Sequence, residues 1–166
     1  MRKRNRERKP RVLDEAAARE RCLRLLSVRA RSTSELRERL ARAGFERTVV
    51  DPVLIGLSEA GLVDDEEFAR SWIAGRASAG IGRRRLHAEL ARKGIERNVM
   101  ERLLAEQVDD EAERGRLEIL ARKRLARAGM DAPTLARVRR FLIGRGYGFG
   151  MVDDVLRVVA GDADGS

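Results

Sequence analysis

The strongest constraint on the fold of this chain is a stretch of sequence that it contains twice. Residues 35–54, ELRERLARAGFERTVVDPVL, match residues 85–104, RLHAELARKGIERNVMERLL, at nine of twenty positions when the two are offset by 50 residues. A third and weaker copy, RVRRFLIGRGYGFGMVDDVL, lies a further 52 residues along the chain, at residues 137–156. Repetition at a fixed period indicates one supersecondary structure used several times.

Each copy has the pattern of two helices joined at a glycine. Leu36 and Leu40 lie four residues apart and therefore share one helix face. Gly44 is typical of a left-handed helix terminus, and Phe45 directly after it can fold back over the turn. A helical apolar stripe then resumes at residues 49, 50, 53, 54 and 57. Gly94 with Ile95, and Gly146 with Tyr147, repeat the turn.

A further helix is predicted before each pair, at roughly residues 15–28, 64–76 and 109–129. Aromatic residues make up only 4% of the sequence, which favours helix packing over sheets. We therefore predict an all-α protein of three tandem three-helix repeat modules forming an elongated, curved array. The expected divisions are a basic disordered tail (1–11), repeat 1 (12–61), repeat 2 (62–108), repeat 3 (109–160) and a flexible C-terminus (161–166).

Two local features conflict with this pattern. Pro52 falls within a predicted helix, so that helix either kinks there or begins afresh with Asp51 as its cap. In the third copy, glycines at positions 144, 146, 148 and 150 weaken helix propensity and predict a looser turn.

The net charge of +9 is concentrated at the start of the chain. The first eleven residues hold seven Lys or Arg and one Glu. This segment is either an arm that attracts polyanions or a solubilising leader. Cys22 is the only cysteine, so an intrachain disulfide is excluded and a reducing compartment is expected. No apolar run reaches the roughly 18 residues of a membrane span, which predicts a cytoplasmic protein.

The sequence offers no pattern typical of an enzyme. His87 is the only histidine and is predicted to be exposed, because it aligns with Arg37 and Arg139. Cys22 lies on an apolar stripe, which favours a core position over a reactive thiolate. The acidic residues at 64–67 are interpreted as helix-capping groups rather than as metal ligands. We expect no catalytic residue, cofactor or metal, and a monomer.

The residues best suited to contact a polyanion are arginines beside helix ends. Arg83, Arg84 and Arg85 lie together at a predicted helix start, where backbone N–H groups also favour anions. Five further cations complete the candidate set: Arg42, Arg76, Arg92, Lys93 and Arg145. The alternative is that these residues form an ordinary solvated face. Few side chains in the helices after Gly44 and Gly94 could read base edges, so DNA contact would be non-specific and salt-sensitive.

Several ordered motifs together resemble the RecX family of bacterial recombination regulators. They span residues 20–106 clearly and extend weakly to about 158. The matching segments are Arg29 to Ser32, Gly61-Leu62-Val63-Asp64-Asp65, Phe68-Ala69, Arg76, Gly80 and Glu89-Leu90-Ala91-Arg92-Lys93-Gly94-Ile95.

The resemblance implies three three-helix modules that bind the filament of RecA on single-stranded DNA. Family members restrain the ATPase, strand-exchange and coprotease activities of that filament in recombinational repair and the SOS response. The expected function is therefore non-enzymatic regulation of RecA, with weak, non-specific contact to single-stranded or duplex DNA as an added expectation. The competing hypothesis is a helical-repeat protein that binds nucleic acid directly.

Overall fold

The computed structural model describes residues 13–164, which form nine α-helices and no β-strand. In chain order the helices are α1 (Glu15–Leu26), α2 (Thr33–Ala41), α3 (Arg47–Glu59), α4 (Asp65–Ser78), α5 (Arg83–Arg92), α6 (Arg97–Gln107), α7 (Asp110–Ala128), α8 (Ala132–Gly144) and α9 (Phe149–Asp164). The all-α prediction is confirmed. The basic tail at residues 1–11 lies outside the described part of the chain.

Three hydrophobic clusters divide the helices into triplets. The first triplet is α1–α3, centred on Leu36, Leu40 and Leu57. The second triplet is α4–α6, and the third is α7–α9, with Leu90 and Leu142 at their respective centres. These leucines are all fully buried. The apolar stripe read from the sequence is therefore the inner face of each triplet.

The chain also divides, between Asp65 and Glu66, into two compact units. The first unit contains the first triplet, and the second unit contains the other two. In the first unit the backbone N–H of Thr33 donates to the carboxylate of Asp65 at 2.7 Å. The predicted division into three modules at residues 61 and 108 stays a prediction.

The glycine turns between the second and third helices have the predicted geometry. Gly44, Gly94 and Gly146 have φ angles of 91°, 71° and 94°. In each turn the residue after the glycine donates its N–H to the carbonyl five residues earlier, as Phe45 does to Leu40 at 3.2 Å. This is the Schellman arrangement, which satisfies the last carbonyls of the helix and turns the chain sharply.

Helix starts also follow the sequence. Ser32 accepts from the Glu35 N–H at 3.2 Å, while the Glu35 carboxylate accepts from the Ser32 N–H at 3.3 Å, forming a capping box. Helix α3, however, runs through Pro52 without interruption and begins at Arg47. The alternative in which a new helix begins at Asp51 is therefore wrong. At the other end of the chain, α9 continues to Asp164, within the segment predicted as a flexible end.

The second and third triplets, both in the second unit, are joined by backbone hydrogen bonds beside Gly82 and Gly146. The N–H of Gly82 donates to the Arg145 carbonyl at 2.9 Å, and the N–H of Arg84 donates to the Gly146 carbonyl at 3.1 Å. A Cβ atom built on Gly82 would lie 2.6 Å from Gly146 backbone atoms, and one on Gly146 would lie 2.3 Å from the Arg85 Cβ. We call this contact the glycine junction. The third-copy turn is thus held against the second triplet, while its own hydrogen bond, from the Tyr147 N–H to the Leu142 carbonyl at 3.4 Å, is the longest of the three turns.

We predict that Leu90→Ala lowers the free energy of unfolding by about 2–5 kcal/mol, because it opens a cavity in a fully packed core. Chemical denaturation monitored by circular dichroism measures this change. The control is Ile119→Ala, since Ile119 is 70% exposed and should contribute little. Equal midpoints for the two variants would contradict the assignment of Leu90 to the core.

We predict that Gly146→Ala destabilises the protein by at least about 1–2 kcal/mol, the usual cost of a left-handed conformation for a residue with a side chain. The added methyl group would also collide with Arg85. Gly148→Ala is the matched control, because a Cβ there meets no atom within 4 Å and its φ is not positive. An equally large destabilisation by Gly148→Ala would show that replacing a glycine in this segment is sufficient, and would contradict the role given to the conformation of Gly146.

Candidate partner-binding surface

The eight cations predicted to contact a polyanion occupy different environments. Arg42 belongs to the first unit and pairs with Glu38 one turn earlier in its own helix. The other seven belong to the second unit. Among these, Arg76, Arg83 and Arg85 make ion pairs with buried carboxylates. The sequence therefore identified these cations but did not show which of them form ion pairs within the fold.

The buried carboxylate of Glu89 holds together α4 and α5. Its Oε2 accepts from the Arg76 Nε at 2.8 Å and from the Trp72 Nε1 at 3.1 Å, and its Oε1 accepts from the Arg85 Nε at 3.1 Å. The hydrogen bond from Arg76 is the main reason that the pKa of Glu89 falls to about 2, with smaller contributions from Arg85 and Trp72. Burial acts in the opposite direction but does not prevail.

Arg83 is a structural link between α5 and α7. Its backbone N–H donates to the buried Glu113 carboxylate at 2.6 Å. Its guanidinium reaches Asp110 at 3.0 Å and also donates to the carbonyl of Val108. A cation used in this way is poorly available to a partner, because binding the partner would require breaking contacts within the fold.

Aromatic rings hold three more of the predicted cations. The Lys93 ammonium lies 4.0 Å from the Trp72 ring centroid. The Arg84 guanidinium lies 4.7 Å from the ring of Phe149, and the Arg145 guanidinium lies 5.1 Å from the ring of Phe141. Arg145 also donates to the Ala79 carbonyl at 3.0 Å.

Arg84 and Arg92 are the two exposed arginines of the eight that have no carboxylate partner among the described residues. Both side chains are exposed, and neither forms an ion pair with a described residue. Arg92 donates only to the carbonyl of Ala88 in its own helix, at 3.3 Å. These two residues retain the properties expected of a contact surface.

The position occupied by His87 is a repeated surface slot. Arg37 donates to Asp51 at 3.2 Å in the first triplet, and Arg139 pairs with Asp153 in the third. His87 is exposed, as predicted, and its charge contributes to the lowered pKa of Glu101, behind the larger effect of Arg97. The slot therefore links the second and third helices of the first and third triplets, while in the second triplet His87 acts on Glu101 through charge alone.

Cys22 has the predicted core position. It is fully buried, and desolvation raises the pKa of its thiol, so the reactive thiolate is disfavoured. Within residues 13–164, no group of three or more His, Cys, Asp or Glu side chains is placed to hold a metal ion. No helix in the same range is long and apolar enough to cross a membrane.

We predict that Glu89→Gln lowers the free energy of unfolding at pH 7 by about 1–3 kcal/mol, because Arg76 and Arg85 lose a shared charged acceptor. The folded pKa of about 2 lies below the ordinary value of 4.5. Ionised Glu89 therefore stabilises the fold fully above pH 4.5, and this contribution is lost as the pH falls from 4.5 toward 2. The difference between wild type and Glu89→Gln should shrink over that range in urea titrations.

Glu38→Gln is the control for this prediction, because Glu38 pairs with Arg42 only at the exposed surface. It should change the free energy of unfolding by less than about 0.5 kcal/mol at any pH. A pH-independent difference for Glu89→Gln would contradict the role given to its charge.

Comparison with known proteins places these features in a family. The family model described as the first three-helix domain of RecX matches residues 18–55, and the model of the second three-helix domain matches residues 64–104. These ranges fall within the first and second triplets. The resemblance drawn from the sequence motifs is thereby confirmed.

Whole-chain relatives and solved structures agree with these matches. Regulatory protein RecX of Mycobacterium ulcerans (strain Agy99) is 44% identical over 137 residues, covering 80% of this chain and 79% of the relative. The crystal structure of RecX from Lactobacillus salivarius has a TM-score of 0.76 at 19% identity, over 88% of this chain and 96% of that one. A second crystal structure, of regulatory protein RecX, has a TM-score of 0.73 at 23% identity, over 85% and 70% of the two chains.

The structural similarities establish a shared fold. Regulatory protein RecX of Mycobacterium sp. (strain JLS) is 44% identical over 151 residues, covering 86% of this chain and 82% of the relative. This chain therefore belongs to the RecX family of regulatory proteins.

Proposed function

We propose that this chain binds the RecA filament on single-stranded DNA and restrains its ATP hydrolysis, strand exchange and coprotease activity. The observation that carries the proposal is membership of the RecX family, with 44% identity to a curated member over 86% of the chain. Regulation of RecA is what the resemblance to this family implies.

The regulation we propose acts through binding and not through chemistry. The two residues with the greatest intrinsic capacity for catalysis are poorly placed for it. The Cys22 thiol is buried with a raised pKa, and His87 lies at a surface position where its homologous residues form ion pairs. These positions support a regulator that changes the activity of its partner by occupying it.

The repeated triplets support binding to a repetitive partner. Each triplet presents the same turn and the same surface slot, so equivalent weak contacts can recur along one chain. Linked weak contacts raise the effective concentration of one another and increase the overall affinity without any single strong site. Arg84 and Arg92 are the exposed cations without a described carboxylate partner that we propose for contact with the filament, and Arg76, Arg83 and Arg85 would contribute mainly by holding the fold.

The competing function is direct binding of nucleic acid. It is favoured by the basic composition of residues 1–11 and by the exposed arginines. Arg83 and Arg85, which that hypothesis would require, are engaged with carboxylates inside the second unit. An electrostatic DNA complex would also lose affinity steeply as salt increases.

The decisive experiment titrates the full chain into RecA that is hydrolysing ATP on single-stranded DNA at moderate salt. We expect inhibition by substoichiometric amounts, together with weak binding to bare DNA of the same length. Removing residues 1–11 should reduce binding to bare DNA while leaving most of the inhibition. Tight, salt-sensitive DNA binding without inhibition would favour the competing function.

The contact residues are tested by reversing two charges. We predict that Arg84→Glu combined with Arg92→Glu raises the concentration needed for half-inhibition of the RecA ATPase by about tenfold, through lost electrostatic complementarity. The control reverses Arg114 and Arg157, which are also exposed. An equal effect of both double variants would mean that net charge alone determines inhibition.

A further inference from the structure

The third triplet contains a basic groove that none of the interactions above explains. Two adjoining cavities of about 320 Å³ and 330 Å³ share Arg124, Ala128 and Phe141 in their walls. We call them together the α7–α8 groove. Its walls are Leu120, Phe141 and Val138 on the apolar side, and its rim carries cations: Lys123, Arg124, Arg127, Arg137 and Arg145.

The cations of the groove lack the carboxylate partners that arginines elsewhere in this triplet have. Arg122 pairs with Glu118 and Asp162, and Arg139 pairs with Asp153. No described carboxylate forms an ion pair with Lys123, Arg124 or Arg127.

Arg137 likewise forms no ion pair with a described carboxylate. The pKa of Asp131 is lowered mainly by the hydrogen bond from the Thr134 backbone, and the charge of Arg137 adds a small part. Several like charges along one groove repel one another and create a field that attracts an anion.

A single aromatic ring organises this groove. The Arg124 guanidinium lies 3.8 Å from the centroid of the half-buried Phe141 ring, and that of Arg145 lies 5.1 Å from it. A guanidinium group carries several N–H donors that can bind an oxyanion. The groove therefore combines an apolar ring with two guanidinium groups close to it.

The second triplet has a different residue at the position aligned with Phe141. The 52-residue offset aligns Arg137, Phe141 and Arg145 with Arg85, Glu89 and Lys93. In the second triplet the Glu89 carboxylate accepts from two arginines and a tryptophan. In the third triplet the residue aligned with Glu89 is Phe141, so the internal carboxylate is gone. Of its two arginine partners, Arg85 aligns with Arg137 and Arg76 aligns with Ala128, while Arg124 stands at the position of Trp72.

From this difference we infer that the α7–α8 groove binds an acidic peptide segment of a protein partner. A carboxylate of the partner would take the place that Glu89 fills in the second triplet, against Arg124 and Arg137. An apolar side chain of the same segment would pack on Phe141 and Leu120. The inference concerns this groove alone and does not require that the partner be RecA.

The apolar walls favour a peptide over a nucleic acid. Protein interfaces combine an apolar centre with a polar rim, whereas nucleic-acid interfaces are more polar and contact mainly phosphates. Arg124 and Arg145 lie over the ring of Phe141, and guanidinium groups also attract phosphates. Single-stranded nucleic acid is therefore the alternative that the experiment must distinguish.

The test measures binding of the full chain to three short fluorescein-labelled probes by anisotropy. The first is a peptide of Glu and Asp alternating with Leu and Phe. The second is the same peptide with Gln and Asn in place of the acids, and the third is oligo(dT). We expect the acidic peptide to bind at least about tenfold more tightly than its neutral counterpart, equivalent to one interaction of about 1.4 kcal/mol.

One substitution supplies the missing internal carboxylate. We expect Phe141→Glu to weaken binding of the acidic peptide by about tenfold or more, because the new side chain would pair with Arg124 and Arg137 as Glu89 pairs with its arginines. Phe141→Gln removes the same ring without adding a charge and should weaken binding less. Circular dichroism of each variant verifies that the helices are retained.

A second variant tests the same site without altering its apolar wall. Arg124→Gln combined with Arg137→Gln should weaken binding of the acidic peptide by about tenfold, whereas Arg114→Gln combined with Arg157→Gln should leave it nearly unchanged. Equal binding of the acidic and neutral peptides, or equal loss in both double variants, would overturn the inference. Oligo(dT) binding that exceeds peptide binding and disappears with Arg124 and Arg137 would assign the groove to nucleic acid instead.

Discussion

The left-handed glycine turn is the constraint on which each triplet depends. The helices of this protein are short, and α2 and α5 have only nine and ten residues. Isolated helices shorter than about 12–15 residues are marginal in water, so these helices require packing against their neighbours. A turn such as that at Gly94 reverses the chain within a few residues, which places the stripe containing Leu90 against the one containing Leu103.

Local patterns made much of the fold predictable from the sequence. The Leu36 and Leu40 spacing, the turn glycines and the Ser32 cap all act within a few residues, so their consequences can be read directly. Even the exposure of His87 follows from its alignment with Arg37 and Arg139. The course of α3 could not be read in this way. Pro52 carries a local penalty, which packing of Val53, Leu54 and Leu57 in the first cluster offsets.

The candidate binding surface was less predictable, because an arginine looks the same in sequence whether it is free or engaged. Arg76 and Arg85 bind Glu89 although they are 13 and 4 residues away from it in the sequence. Arg83 binds Glu113 at a sequence separation of 30 residues. Only tertiary structure shows which carboxylates become buried and require cations. Glu89 and Glu113 are buried and form ion pairs with arginines, because a buried charge without a partner would destabilise the fold. The arginines that do not pair with these two carboxylates are the ones available to a partner at the surface.

Gly146 in the third copy has two structural roles. Gly44, Gly94 and Gly146 are all required by the backbone turn, so the alignment accounts for each of them equally. Gly146 has an additional role that the alignment conceals, because the chain of Arg85 passes directly against it. The third copy is therefore weaker in sequence, yet its turn glycine makes a contact beyond the turn itself.

In the third triplet, Phe141 takes the position that Glu89 occupies in the second triplet. In one triplet this position neutralises arginines inside the fold, and in the other it leaves cations at the surface beside an aromatic ring. Repetition supplies three equivalent scaffolds, and a substitution at one equivalent position gives one of them different surface chemistry. A chain of repeats can in this way keep a common core while the third triplet exposes a groove whose rim includes arginines without a described carboxylate partner.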